Sequence, residues 1–547
     1  MTEFAFADVW EAVAGARGES TALVHGPRRE SWSELSARAD AVAAALVTAG
    51  AQRQDKVANY LYNCPEYLEA FFATLKAGLV PVNTNYRYGP DELSYLWSNA
   101  DSVAVVFDAA FTGTVEQVRR QVPSVRLWLR VGDVGGCPQW AVSYEDVASA
   151  AAAGPTRAPW GRHPDDQIFV YTGGTTGMPK GVMWRQGTLG ASQPAAAGTA
   201  PPETLDAVVA ALPESGPVVL PACPLMHATG LFTALGTLRQ GGCVVTLPGR
   251  EFDPVELFDT IEREQVSSLA IVGDAFARPM VRALDAEPGR WDLASLRVVI
   301  SSGVMWSEPV KESLLKHKPS LLLFDSLGSS EAVGLGQSVS TGDGVTGTAT
   351  FKLGEHTRIL TDDGRDVAPG SGENGMLARS GIIPEGYYKD GTKTATTFRV
   401  IDGVRFVIPG DYATVDADGT VRLLGRGSQC INTGGEKVFP EEIEEVLKER
   451  DDIVDAAVVG VPDEKWGEAV CAIVEPRNGD ELDEQDVISY VKSRLARFKA
   501  PKRVLAVSSL GRAPNGKLDY RRLRADACAR IAQRGRSPQG FGGSFPR

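Results

Sequence analysis

Two rhythms of apolar and polar positions run along this 547-residue chain. In the first 150 residues short apolar runs alternate with stretches whose apolar side chains recur every three or four positions. The runs suit buried strands, and the recurring stretches suit one face of a helix. Leu35, Ala39, Val42 and Leu46 keep the helical spacing between a candidate cap, Ser33, and a stop at Gly50. Residues 57–61 read as a strand, 66–75 as a helix stopping near Gly78, and 80–83 and 103–107 as two more strands. Alternation of this kind predicts α/β layers. Apolar runs at 167–170, 218–221, 243–247, 269–272, 298–303 and 321–324 continue the design. Residues 187–211, rich in small side chains, carry no pattern strong enough to assign.

From about residue 345 the texture changes to Gly, Asp and Thr with short strands at 358–360, 375–378 and 421–424, which predicts a β-rich subdomain. Asp362-Asp363-Gly364 and Asp416-Ala417-Asp418-Gly419 are turn signals within it. A boundary falls at Gly425-Arg426-Gly427-Ser428. Beyond it an acidic helix over 440–449 presents Ile443, Val446 and Leu447, strands follow at 456–461 and 470–474, and a second helix over 484–498 buries Val487, Ile488, Val491 and Leu495. The expected organisation is an α/β N-terminal domain with its β-rich subdomain (1–424), a hinge (425–428), a small α+β C-terminal domain (429–530) and a disordered Gly/Ser/Arg/Pro tail (531–547).

Composition narrows the function. With 43% hydrophobic and 23% charged residues the chain is an ordinary globular protein. Its net charge of −13 argues against a nucleic-acid or anionic-membrane partner, so a polyanionic substrate must meet a local positive site. Seven scattered cysteines without CxxC spacing fit reduced thiols rather than disulfides or a zinc site. No basic leader precedes an apolar core at the N-terminus, and no apolar run approaches the ~18 residues that span a bilayer. A cytoplasmic protein is expected.

The candidate chemistry centres on Tyr171-Thr172-Gly173-Gly174-Thr175-Thr176-Gly177-Met178-Pro179-Lys180-Gly181, directly after an apolar run. Its glycines free backbone N–H groups to converge, and its threonine hydroxyls and Lys180 add donors suited to a polyphosphate. It is not a Walker A loop, because Lys180 lies between Pro179 and Gly181. On its own such a stretch is also compatible with a surface turn.

Other clusters follow in order. They are Pro224-Leu225-Met226-His227-Ala228-Thr229-Gly230, Ser301-Ser302-Gly303-Val304, Asp325-Ser326-Leu327-Gly328-Ser329-Ser330-Glu331 and Ile408-Pro409-Gly410-Asp411. Gly425-Arg426-Gly427-Ser428 then runs without a gap through Gly434-Gly435-Glu436-Lys437 into the acidic helix, and Pro514-Asn515-Gly516-Lys517 closes the series. Together, from about residue 30 to 525, the chain resembles the adenylate-forming superfamily of acyl-CoA synthetases, adenylation domains and luciferases.

That resemblance implies roles. Thr172, Gly173, Gly174, Thr175, Thr176, Gly177 and Lys180 would hold ATP phosphates, and Ser302, Gly303, Asp325 and Ser330 would flank the adenine and α-phosphate. Asp411 and Arg426 would hold the ribose, Glu331 with Thr172 would bind Mg²⁺, and His227, Gly303 and Gly328 would line the acid pocket. Gly434, Gly435 and Lys437 would face the CoA pantetheine, and Lys517 would be the catalytic lysine on the α-phosphate. Leu327, Pro409 and Ser428 depart from the usual aromatic, Thr and Asp/Lys of those elements. The implied reaction is ATP-dependent: an acid attacks the α-phosphate, pyrophosphate leaves, a mobile C-terminal domain turns about the hinge, and CoA thiolate displaces AMP.

Residues 81–88, residues 181–185 and the two glycine turns are similar to bacterial synthetases that activate fatty or steroid side-chain acids. The resemblance thus implies a hydrophobic carboxylic acid, ATP and CoA as partners. It implies neither nucleic acid nor a membrane span, and a homodimer would be ordinary. Two alternatives are an acyl-AMP ligase that loads a carrier protein and a catalytically silent nucleotide-binding homologue.

Overall fold

The computed structural model of the chain describes residues 4–133, 135–150, 156–173, 178–196, 202–433, 436–463, 467–477, 482–513 and 516–536, with the backbone alone for 193–196, 428, 437 and 534–536. Among these residues the strands form three sheets of eight, fifteen and five strands.

In the eight-stranded sheet Val80–Asn83, Lys56–Tyr60, Ser102–Asp108 and Leu127–Val131 run parallel. Their near-continuous apolar runs follow from burial on both faces. Val80–Asn83 joins the sheet to Gln167–Thr172, which returns antiparallel as Lys180–Arg185 with Thr172 opposite Lys180. The two described ends of the candidate phosphate-binding stretch, at Thr172 and Lys180, are thus held side by side. The helix beside these strands spans Trp32–Thr48 and is capped by Ser31 rather than Ser33. Ser31 Oγ accepts from the Glu34 N–H at 3.2 Å, and the Glu34 carboxylate accepts from the Ser31 N–H at 2.7 Å.

In the fifteen-stranded sheet Thr21–His25, Cys243–Thr246, Val218–Pro221, Ser268–Ile271, Val298–Ser302 and Leu322–Leu327 are parallel neighbours in that order. Beyond Leu322–Leu327 the pairing turns antiparallel through Gly336–Ser340 and Thr350–Leu353 into Val421–Arg426 and Asp411–Val415. The β-rich region is thus a hydrogen-bonded continuation of the parallel sheet. Residues 187–211, left unassigned above, contribute the helices Gln186–Ala196 and Leu205–Ala210, the second capped by Thr204.

The five-stranded sheet belongs to the C-terminal unit, and its long hairpin, Ile453–Asp463 with Gly467–Pro476, sorts side chains by parity. Val458, Val470, Ala472 and Val474 meet the helices Pro440–Lys448 and Glu484–Arg494 through Ile443, Leu447, Val487 and Val491. Ala457, Val459, Cys471 and Ile473 meet the helix Tyr520–Arg536 on the other face through Leu523 and Ala527. Two boundaries differ from expectation. The helix expected to reach 498 stops at Arg494, because Leu495 takes an extended conformation with ψ 163°. The last helix runs to Arg536, past the start of the expected disordered tail, because Ile531 still packs with Cys528 and Val507 on that core. Residues 537–547 lie outside the described residues. No described helix is long and apolar enough to cross a membrane.

Candidate active site

The carboxyl ends of the parallel strands open on a cleft of about 510 Å³, the place where open α/β sheets bind ligands. Tyr171, Thr172, Gly173 and Lys180 enter it from the adjoining ends of Gln167–Thr172 and Lys180–Arg185, and Ser302 and Gly303 from the end of Val298–Ser302. Ser326 and residues 328–331 follow from the end of Leu322–Leu327, and Pro409, Gly410 and Arg426 from the antiparallel extension. His227, Thr229, Phe232 and Thr233 come from the start of the helix Ala228–Arg239, and Lys517 comes from the C-terminal unit.

His227 is the residue that opens that helix, with ψ 150°. Gly230 is required in its first turn because a Cβ there would stand 2.6 Å from the Pro224 carbonyl oxygen. Burial, and behind it the Lys517 ammonium and Arg87, push the imidazole pKa down to about 3. His227 is therefore a neutral wall of the cleft near pH 7. Gly303 has φ +95°, a conformation that disfavours any side chain and keeps the strand end open.

The charged groups come in pairs. Asp411 and Arg426 face each other across neighbouring strands, with Nε donating to Oδ1 at 3.1 Å. Asp411 is the main reason the guanidinium pKa is raised. Lys180 Nζ lies 3.0 Å from Asp390 Oδ2. Glu331 Oε1 accepts from the Tyr387 hydroxyl at 2.8 Å, and the Glu331 N–H donates to Ser329 Oγ at 3.2 Å. Trp184 Nε1–H donates to the Ser330 carbonyl at 2.9 Å and helps fix the same segment. Burial and then Arg426 lower the Lys517 pKa, and Glu331 and Asp411 oppose them in part.

Of the residues singled out from sequence, Thr172, Gly173, Lys180, His227, Ser302, Gly303, Gly328, Ser330, Glu331, Arg426 and Lys517 line this one cleft, and Asp411 reaches it through Arg426. Asp325 does not line it. Strand parity turns Ser326 to the cleft and buries Asp325 on the other side, 3.3 Å from Lys311 Nζ. Burial, partly offset by Lys311, pushes the Asp325 carboxyl up to about 6. Leu327, which stands where the resembled element usually has an aromatic, packs on the core and is not a cleft wall. Gly174, Thr175, Thr176, Gly177, Gly434 and Gly435 lie outside the described residues, as does the Lys437 side chain.

The sequence reading missed Tyr387, Phe232 and Thr233. Thr229, Phe232 and Thr233 stand at i, i+3 and i+4, so the helical spacing after His227 marks them as sharing a face. Tyr387 carries no such local signal. It reaches the cleft because Gly386–Tyr387 pairs with Met183 and Val182, some 200 residues earlier.

Comparison with known proteins adds to this picture. Residues 10–388 match the family of AMP-binding enzymes, and residues 442–517 match the AMP-binding enzyme C-terminal domain. A medium/long-chain-fatty-acid–CoA/3-oxocholest-4-en-26-oate–CoA ligase of Mycobacterium tuberculosis is 40% identical over 534 residues, 96% of each chain. A 3-oxocholest-4-en-26-oate–CoA ligase of Rhodococcus rhodochrous is 38% identical over 530 residues, 94% of each. Among solved structures, ATP-bound MatB from Rhodopseudomonas palustris matches with a TM-score of 0.78 at 27% identity, over 95% of this chain and 99% of that one. The anthranilate CoA ligase AuaEII in complex with anthranoyl-AMP shares the fold, with a TM-score of 0.82 at 21% identity over 97% and 99% of the two chains. With both family regions matched and such relatives spanned almost end to end, the chain belongs to the AMP-binding enzyme family, as an adenylate-forming acid–CoA ligase.

Proposed function

We propose that the chain converts a medium- or long-chain fatty acid, or a steroid side-chain acid, into its CoA thioester through an acyl-adenylate. The observation that supports this most is Lys517, from the C-terminal unit, sharing one cleft with Glu331, Arg426 and His227. The substrate class follows the names of the Mycobacterium tuberculosis and Rhodococcus rhodochrous relatives. Apolar walls at Phe232, Val272, Ile300 and Val333 suit such an acid.

In this reading a carboxylate oxygen attacks the α-phosphorus of ATP and pyrophosphate departs. Thr172, Gly173 and Lys180, with residues 174–177, hold the leaving phosphates. Ser302, Gly303 and Ser330 flank the nucleotide, and Asp411 and Arg426 take the ribose hydroxyls. The Lys517 ammonium bridges the incoming carboxylate and the α-phosphate, offsetting charge as the in-line displacement proceeds. His227, Gly303, Gly328, Phe232 and Thr233 hold the acid's head. The C-terminal unit then turns at Ser428, Lys517 withdraws, and the glycine turn at Gly434 and Gly435, followed by Lys437, admits CoA. Its thiolate attacks the acyl carbon and AMP leaves.

Glu331 and Thr172 supply the hard oxygen donors that Mg²⁺ prefers. Among the described residues no group of three or more His, Cys, Asp or Glu converges as a metal cage, so a magnesium ion would complete its shell with phosphate oxygens and water. Bound there, it would neutralise phosphate charge.

The test is incubation with ATP, Mg²⁺, CoA and a panel of short, long, aromatic and steroid acids, read by mass spectrometry. Acyl-CoA from the hydrophobic acids is expected. Acyl-AMP that accumulates whether or not CoA is present would favour transfer to a carrier protein instead, and no product from any acid would sink the ligase reading.

A further inference from the structure

Gly425 and Arg426 precede the turn Gly427–Gln429, whereas the helix Pro440–Lys448 lies beyond it. Glu441, in the first turn of that helix, reaches back across the turn. Its Oε1 accepts from the Arg426 backbone N–H at 3.4 Å. Its carboxyl lies so close to Gly425 that a Cβ on Gly425 would stand 2.1 Å from Oε2. Gly425 itself has φ +127°, so both its conformation and this contact exclude a side chain. Although Glu441 as a residue is half-buried, its Oε2 has no access to solvent and takes no hydrogen bond.

An ionised carboxylate is poorly suited to such a place, because one oxygen has lost its water without gaining a donor. The neighbours add to the cost. Asp411 stands on the strand next to Arg426, and its carboxylate already engages that guanidinium. Glu444, one turn on, is buried and spends its own oxygens on the Val458 N–H and the Tyr520 hydroxyl. Lys448 and Arg512 also face Glu444, but Lys448 is paired with Glu445 and Arg512 with Asp455. Burial, then Glu444, and further off Asp411 push the Glu441 carboxyl up to about 8, outweighing the Glu441 and Arg426 backbone N–H groups, which favour the charged form.

We propose that Glu441 is a positioning residue that holds the chain in the orientation placing Lys517 in the cleft, and that it does so as the neutral acid. The proposal rests on the ligase reading, in which two half-reactions use two orientations of the C-terminal unit. Rotation at the hinge carries Glu441 away from Gly425 and Arg426 into water, where a glutamate ionises near ~4.3. The sign follows. The Lys517-in orientation binds the proton more tightly, so it is favoured fully below the free-glutamate value. That preference is lost as pH rises through about 8. Over this window the balance tilts towards the thioester-forming orientation by up to ~10-fold per pH unit.

The experiment uses the full chain with dodecanoate as probe. Adenylation is read as acid-dependent pyrophosphate exchange, and the second half-reaction as CoA-dependent consumption of supplied dodecanoyl-AMP. Both are followed from pH 6 to 9 in wild type, Glu441→Gln and Glu441→Ala, with thermal unfolding as the folding control. In wild type the ratio of the first rate to the second should fall as pH rises to about 8 and then level. In Glu441→Gln, which mimics the neutral acid, the ratio should stay at the wild-type low-pH level. In Glu441→Ala it should be low throughout. Ionisation of CoA and ATP affects all three chains alike. A Glu441→Gln profile that keeps the wild-type slope overturns the proposal while leaving the ligase reading intact. A wild-type chain silent in both half-reactions overturns the ligase reading and this proposal with it.

Discussion

Lys517 and His227 are neighbours in the cleft with opposite demands on charge. Lys517→Ala is expected to lower acid-dependent pyrophosphate exchange by about 10²–10³-fold, the loss that follows removal of one transition-state donor. CoA-dependent consumption of supplied acyl-AMP should be largely kept, and equal loss in both assays would show that Lys517 has been misassigned. For His227 the consequence is a pH dependence of stability. Its folded pKa of about 3 lies below the ordinary ~6.5, so between those values the unfolded chain binds a proton that the folded chain refuses. Stability from this group is present above pH ~6.5 and is lost as pH falls towards 3. Melting curves at pH 7.5, 6 and 5 should therefore decline less steeply for His227→Asn than for wild type; parallel curves would refute the neutral assignment. Both residues were legible in the sequence because each sits inside an ordered motif. Asp325 sat inside one too, and there the motif misled. Which face a strand residue takes depends on register, and a one-residue difference sent Asp325 to Lys311 and Ser326 to the cleft.

Short elements hold these residues in place, and the described residues on either side of Lys517 are tied by several hydrogen bonds. Arg512 donates to both Asp455 oxygens at 2.6 and 2.8 Å and to the Gly516 carbonyl at 2.7 Å. The Ala513 N–H donates to the Lys517 carbonyl at 2.8 Å, and Gly516 turns with φ +71°. One guanidinium thus fastens Gly516, next to the lysine, to the strand Ile453–Asp463. Arg512→Ala should cost about 2 kcal/mol in denaturant unfolding, the scale of a charged hydrogen-bonded pair, and should slow adenylation more than thioester formation. Arg512→Lys should recover little, since a lysine cannot reproduce the fork. Full activity in Arg512→Ala would show that Lys517 is placed without Arg512. Elements of this size were mostly readable where apolar periodicity was strong, as in the strand Val80–Asn83 and the helix Pro440–Lys448. They were not readable over 187–211, where small side chains form helices without an amphipathic stripe, nor at Leu495, whose apolar phase continues although its backbone has left the helix.

At the scale of the whole molecule, a chain with net charge −13 gathers Lys180, Arg426 and Lys517 around one cleft, and two structural units supply them. The order of motifs foretold this gathering. The pairings that achieve it, such as Gly386–Tyr387 on Lys180–Arg185 or the β-rich strands on the parallel sheet, are too long-range for local patterns to reveal. A ligand that fills the cleft must therefore tie the units together. A non-hydrolysable acyl-adenylate analogue at 100 times its Kd should stabilise the folded chain by about 2.7 kcal/mol through linkage. Because Lys517 would contact the bound analogue from the C-terminal unit, calorimetry on the unmodified chain should show both units' unfolding shifted upwards together. In Lys517→Ala, compared at the same multiple of its own Kd, the shift should be confined to the larger unit, with the C-terminal unit unfolding at its ligand-free temperature. An unmodified chain whose C-terminal unit ignores the analogue would show that Lys517 does not close on the acyl-adenylate.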